Sequence, residues 1–285
     1  MAETKKNKKG IILDILLVVF ILIFVGTGGY LIYYYHTINK SEKGFSEVAG
    51  LINEDVSDSG DTFYARDGET IETKESTGEE YTGEKYVKVG DKLILARYKD
   101  IYEKNNDFAG WISIPDTPID YPVMHTPKDP EFYLRRDFDK NYSIAGTIFI
   151  DERDDLEKPS DNIIIYGHHM KSGTMFGSLQ KYEDEKYYRS HKLIYFDTLY
   201  ERGTYEVIAA FRTQIYSDDY AGFVCYNFID ADNAEDFDDF VTSCKALTGF
   251  ETGVSASYGD KLISLSTCSY HVDDGRFVVI AKKID

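Results

Sequence analysis

The chain has 285 residues, 42% of them hydrophobic, and a formal charge of -18 at pH 7. That length suffices for a sizeable core, and the acidic excess excludes a chain built to wrap nucleic acid, which needs clustered Lys and Arg to meet phosphates. Three cysteines with no close pair make neither a disulfide framework nor a zinc ribbon.

Lys5, Lys6, Lys8 and Lys9 stand just before an apolar run from Ile11 to Tyr35, interrupted only by Asp14, Gly26, Gly28 and Gly29. As a helix rising about 1.5 Å per residue, this run crosses a hydrocarbon core of about 30 Å, with its tyrosines at an interface. Residues 1–10 then form a cytoplasmic basic tail and 11–35 a single-pass signal-anchor in the plasma membrane, with everything after it extracellular. A cleaved signal peptide is the rival reading, but its apolar region is usually shorter, and no small-x-small site follows the tyrosines. Residues 36–90 turn polar and acidic, a composition that cannot bury enough surface to offset its ordering entropy, and read as a flexible stalk.

The catalytic domain is expected over 91–285. It opens with a helix over Asp91 to Tyr102, where Leu93, Ile94, Tyr98, Ile101 and Tyr102 recur at helical spacing. Eight short segments rich in β-branched and aromatic residues follow: 111–114, 119–123, 147–150, 162–166, 193–197, 204–212, 261–267 and 276–282. They suggest a mainly β domain, a closed barrel or a sandwich. One helix interrupts them, capped by Asp232, with Phe237, Phe240, Val241, Cys244 and Leu247 on one stripe.

Cys268 ends the run Leu262-Ile263-Ser264-Leu265-Ser266-Thr267, so it is expected at a barrel rim. The Asp274-Gly275 turn sends the next strand back, which returns Arg276 beside Cys268 if the two strands pair. A guanidinium there can orient a peptide carbonyl or stabilise the oxyanion formed when a thiolate attacks it. A thiol with a reference pKa of about 8.5 needs a base or cation nearby. The strand 162–166 ends in Gly167 and delivers His168 and His169 onto a second rim loop.

Other residues are assigned plainer roles. Cys244 lies on the helix's apolar stripe and Cys225 among core-type residues, so both read as small buried hydrophobes, and a disulfide between them is not demanded by spacing. His36, His125 and His191 read as structural or exposed. His271 with Cys268, His168 and His169 offers a four-ligand zinc site, the sharpest alternative; it leaves Arg276 without a task and sets a cation beside a metal.

The motifs Tyr166-Gly167-His168-His169-Met170, Met175-Phe176 with Leu179, Ser264-Leu265-Ser266-Thr267-Cys268 and Arg276-Phe277-Val278-Val279 together resemble the sortases, and within them class B. The family's motif before the cysteine commonly begins with Thr, where this chain has Ser264. The resemblance implies a closed β-barrel of about eight strands with an N-terminal helix and a helix inserted before the cysteine-bearing strand. It implies Cys268 as nucleophile, His168 as general acid/base and Arg276 as oxyanion or substrate stabiliser, with Ser266, Thr267 and His169 touching substrate and with no metal or organic cofactor. The implied reaction cleaves a Pro-x-Thr-type C-terminal sorting signal of a secreted protein after Thr. The protein is then passed through a thioester to an amine of the cell-wall precursor or crossbridge. A pilin-polymerising sortase, a hydrolytic cysteine peptidase and a zinc-stabilised membrane-tethered binding module are the competing readings.

Overall fold

The structure, a computed structural model, describes residues 8–53, 61–72, 81–217 and 219–285. A long helix, α1 (Lys8–Ala49), leads to a two-stranded ribbon of β1 (Tyr86–Val89) and β2 (Lys92–Leu95), then to the short helix α2 (Lys99–Lys104). Eight further strands follow: β3 (Phe108–Ser113), β4 (Asp120–Met124), β5 (Ile148–Ile150), β6 (Asn162–Tyr166), β7 (Leu193–Thr198), β8 (Thr204–Gln214), β9 (Leu262–Cys268) and β10 (Gly275–Lys283). Helix α3 (Glu185–Ser190) precedes β7, and α4 (Ala234–Leu247) lies between β8 and β9.

The eight strands close into a barrel in the order β10-β8-β7-β3-β4-β5-β6-β9. Each coincides, within a few residues, with a strand expected from sequence. Two features of the pairing decide where function sits. Strands β6 and β9 run parallel, with Tyr166 opposite Ser266, so their C-terminal ends reach the same rim. Strand β10 runs antiparallel to β9 and begins at that rim, with Arg276 opposite Cys268.

Both faces of β9 and β10 are covered, which is why they read as near-continuous apolar runs. Ile263, Leu265, Phe277 and Val279 join the main core. Leu262, Val278 and Ile280 point the other way and pack under α4 against Phe237, Phe240, Val241 and Cys244. The cap of α4 is Asn233, not Asp232: its side chain accepts the N–H groups of Glu235 and Asp236, and those two acids favour the positive end of the helix dipole.

The N-terminal third differs from expectation in two places. The predicted helix over Asp91–Tyr102 is strand β2, then a 3-10 turn (Ala96–Tyr98), then α2. Leu93 and Ile94 recur near helical spacing by coincidence, since the Gly90-Asp91 turn folds β2 back on β1. The flexible-stalk reading of 36–90 also fails for the residues described. Helix α1 continues without a break to Ala49, and Ile38, Ser41, Phe45 and Val48 are buried against the barrel. Ala65, Ile71, Tyr86 and Val87 are buried as well, so ordered structure begins well before residue 91. Residues 1–7, 54–60 and 73–80, parts of the basic tail and stalk, lie outside the described residues.

Among the described residues α1 is the one helix long and apolar enough to cross a membrane, and its most apolar stretch is wholly unburied.

Candidate active site

Strand pairing places the first two candidates. Residues directly opposed across an antiparallel pair point to the same face with Cβ atoms about 5 Å apart, so Cys268 and Arg276 are side-by-side neighbours on the outer surface of the barrel wall. The turn between them is tight. A Cβ on Gly275 would stand 2.2 Å from the Ser269 carbonyl oxygen, so only glycine lets the two strands approach there. Asp274 takes the left-handed conformation, φ 52°, that the reversal demands.

His168 comes from the adjacent strand. Beyond Tyr166 the chain passes through Gly167, whose N–H donates to the Ser266 carbonyl (3.1 Å) and whose carbonyl accepts the Thr267 hydroxyl (2.7 Å). The loop bearing His168 is thereby fastened to the strand bearing Cys268. A groove of about 370 Å³ is lined by His168, Cys268 and Arg276 together with Leu134, Phe149, Tyr166, Ile215, Ser266 and Thr267. A larger cavity of about 610 Å³ opens beside Trp111, Asp197 and Arg202, but no Cys or His lines it, so the smaller groove is the candidate site.

The His168 ring is half-buried, and its Nε2 lies 2.8 Å from the Leu134 carbonyl oxygen. A carbonyl only accepts, so Nε2 carries the proton and Nδ1 is the basic nitrogen of the neutral ring. Burial pulls the imidazole below the usual histidine range; the Leu134 bond opposes this and the nearby Arg135 charge adds to it. His168 is therefore neutral near pH 7.

Arg276 donates through Nη1 to the carbonyls of Asp274 (3.2 Å) and Gly275 (3.0 Å), which ties the guanidinium over its own turn. Thr267 and Ser266 are both buried, and the Thr267 hydroxyl is spent on Gly167, so Thr267 holds loops together. His169, expected to touch substrate, does not line the groove. It lies behind Cys268, where its Nδ1 and the Gln180 amide both reach the Cys268 carbonyl oxygen (3.1 and 3.2 Å). His271 turns to the Ser269 hydroxyl (2.9 Å). Among the described residues no group of three His, Cys, Asp or Glu is placed to hold a metal ion, so the zinc alternative has no ligand set there. Cys225 and Cys244 are free and buried, and burial pushes the Cys225 thiol up to about 12. Both are inert core.

One wall of the groove is hardly marked in the sequence. Tyr166 donates its hydroxyl to Asp151 (2.8 Å), and Arg153 clamps the same carboxylate through Nε (2.7 Å) and Nη2 (2.8 Å). Burial alone would raise the Asp151 carboxyl, but the Arg153 and Tyr166 hydrogen bonds outweigh it and hold the group below the usual range. The wall is thus an ionised, rigid assembly. Its one sequence signal was the spacing Asp151-x-Arg153 directly after a strand.

The sortase-domain family model matches residues 112–284. The chain belongs to the sortase family, class B. It is 32% identical over 222 residues to sortase B of Listeria monocytogenes, covering 76% of this chain and 82% of that one. Among solved structures it resembles a sortase B from B. anthracis, with TM-score 0.66, 27% identity and coverage of 88% and 99% of the two chains. A Staphylococcus aureus sortase B–substrate complex superposes with TM-score 0.61 at 28% identity, covering 75% of this chain and 91% of that one. The chain is accordingly a sortase-type cysteine transpeptidase.

One substitution tests how the sortase loop is held. An added Cβ at Gly167 would meet the Phe176 ring at 2.7 Å, and Phe176 is completely buried. Gly167→Ala is expected to lose about 1–3 kcal/mol in urea unfolding. It should also lose activity beyond the fraction unfolded, because relief of the clash moves His168.

Proposed function

We propose that Cys268 is the nucleophile of a transpeptidation that cuts a C-terminal sorting signal after Thr. The thiol sulfur bonds to the Thr carbonyl carbon while His168 Nδ1 takes the thiol proton. Collapse of the tetrahedral adduct breaks the scissile C–N bond, and the same proton passes from His168 to the leaving amine. The thioester is then attacked by an acceptor amine, whose proton goes through His168 to the departing thiolate, which restores the thiol. Arg276 and backbone N–H groups near Cys268 stabilise the oxyanion at both steps. The observation that carries this reading is the meeting of a thiol, a neutral imidazole and a guanidinium in one groove, with Arg276 opposite Cys268. The substrates are secreted proteins with a Pro-x-Thr-type signal, and the acceptor is an amine of the cell-wall precursor or crossbridge. The anchor helix, with its N-terminus in the cytoplasm, holds the groove at the outer membrane face where both arrive.

Mass spectrometry of the full chain in detergent, with a library of Pro-x-Thr peptides, with and without an amine acceptor and beside Cys268→Ala, tests the proposal. A thioester on Cys268, cleavage after Thr and an amine-dependent product are expected. Intact peptides and an unmodified Cys268 would overturn it.

A further inference from the structure

The buried positions of α1, Ile38, Ser41, Phe45 and Val48, are spaced by three, four and three residues, the stripe of a helix packed along its length against a partner. The partner is the wall of the barrel that supports His168, reached by two routes. Phe45 packs edge-on against Tyr121 of β4, with centroids 5.4 Å apart, and the Tyr121 hydroxyl donates to Glu42 (3.2 Å). The same oxygen accepts the backbone N–H of Met175 (3.2 Å). Met175 is fully buried in the left-handed conformation, φ 51°, and bridges to His169; the next residue, Phe176, donates its N–H to the His168 carbonyl (3.0 Å).

The second route starts one residue earlier. Ser41 and Ser143 share a buried hydroxyl hydrogen bond (2.8 Å), and the Ser143 N–H donates to the Arg135 carbonyl (2.9 Å). Arg135 closes the 3-10 turn Phe132–Arg135, whose Leu134 carbonyl takes the His168 Nε2–H. The His168 backbone and the His168 ring thus each rest on a segment that α1 touches.

We propose that Glu42 and Tyr121 are positioning residues for His168, so that the catalytic groups are aligned only while residues 38–48 of the anchor helix are seated on the barrel. The proposal rests on the reading of His168 as proton carrier. Its physical basis is that Tyr121 spends its one proton on Glu42 and a lone pair on Met175 N–H; without either partner a buried polar group is orphaned and the loop after His168 must move to satisfy it. Displacements of an ångström at a reacting group are enough to cost orders of magnitude in rate. The anchor would then be part of the catalytic unit as well as its tether.

The test uses the full chain in lipid nanodiscs with Tyr121→Phe, Glu42→Leu and Glu42→Gln. Tyr121→Phe keeps the ring against Phe45, and Glu42→Gln keeps an oxygen to accept the phenol. Two readouts are taken: kcat and KM on a cleaved signal peptide, and the pH profile of Cys268 alkylation by iodoacetamide, which reports the thiol–imidazole pair without substrate. Tyr121→Phe and Glu42→Leu should lower kcat roughly tenfold or more, with KM within about a factor of two, and displace the alkylation profile. Glu42→Gln should recover most of what Glu42→Leu loses. Wild-type kcat and profile in Tyr121→Phe, or losses that track the folded fraction alone, would overturn the proposal. If the parent chain cleaves no peptide, the proposed function fails by itself, and the alkylation profile still decides whether Tyr121 acts on the pair.

Discussion

Replacing His168 with Gln is expected to lower kcat/KM for peptide transfer by roughly 10²–10⁴-fold, the usual worth of a positioned proton carrier, with little change in melting temperature. Gln can still donate to the Leu134 carbonyl that now holds Nε2, so the loop keeps its anchor while the proposed base is lost. The pH dependence of the parent chain gives the companion result. Burial lowers the folded-state pKa of His168, so between that value and the unfolded value of about 6.5 the unfolded chain binds the extra proton. Stability contributed by the neutral ring is therefore complete above about 6.5 and is lost as the pH falls through that window. The acid limb of kcat/KM should accordingly lie below the ordinary histidine range and vanish in His168→Gln. An acid limb above that range would mean that His168 is charged at rest, and would reverse the order of proton transfers proposed for it.

Most of the barrel was legible because its strands are buried on one or both faces, and burial forces β-branched and aromatic residues into short runs bounded by turns. The same signal marks strand ends, where the candidates Cys268, His168 and Arg276 stand: each lies at or just beyond a strand terminus, and β-pairing brings those termini to one rim. What stayed illegible depends on tertiary partners. The docked part of α1 shows the sequence only Ile38, Phe45 and Val48 among many polar residues, too thin a stripe to separate from a stalk, and one of its buried positions is a serine satisfied by Ser143 over a hundred residues away. The Leu134 contact with His168 runs through a carbonyl oxygen, which every residue possesses and no side chain advertises. His169 adjoins His168 in sequence and so suggests a substrate contact, but the loop turns it behind Cys268, onto the Cys268 carbonyl.

Arg276→Lys is expected to cut kcat by roughly 10²–10³-fold although it preserves the charge. The guanidinium is fixed by Nη1 on two carbonyls of its own turn, and among the described residues no protein acceptor takes its other N–H groups. In the proposed mechanism those remaining donors face the oxyanion beside Cys268. An ammonium on a flexible stem can satisfy the turn or reach the oxyanion, but it lacks the rigid fork that does both at once. Because the oxyanion exists only in the tetrahedral adducts, the loss should fall on kcat, with KM for the peptide changed far less. Steady-state kinetics of Arg276→Lys and Arg276→Ala beside the parent chain separate the possibilities. Similar kcat losses in both variants would mean that geometry, not charge, is what the oxyanion needs. A loss confined to KM would assign Arg276 to holding the peptide in the ground state, and the stabilisation of the adduct would then fall to the backbone N–H groups near Cys268 alone.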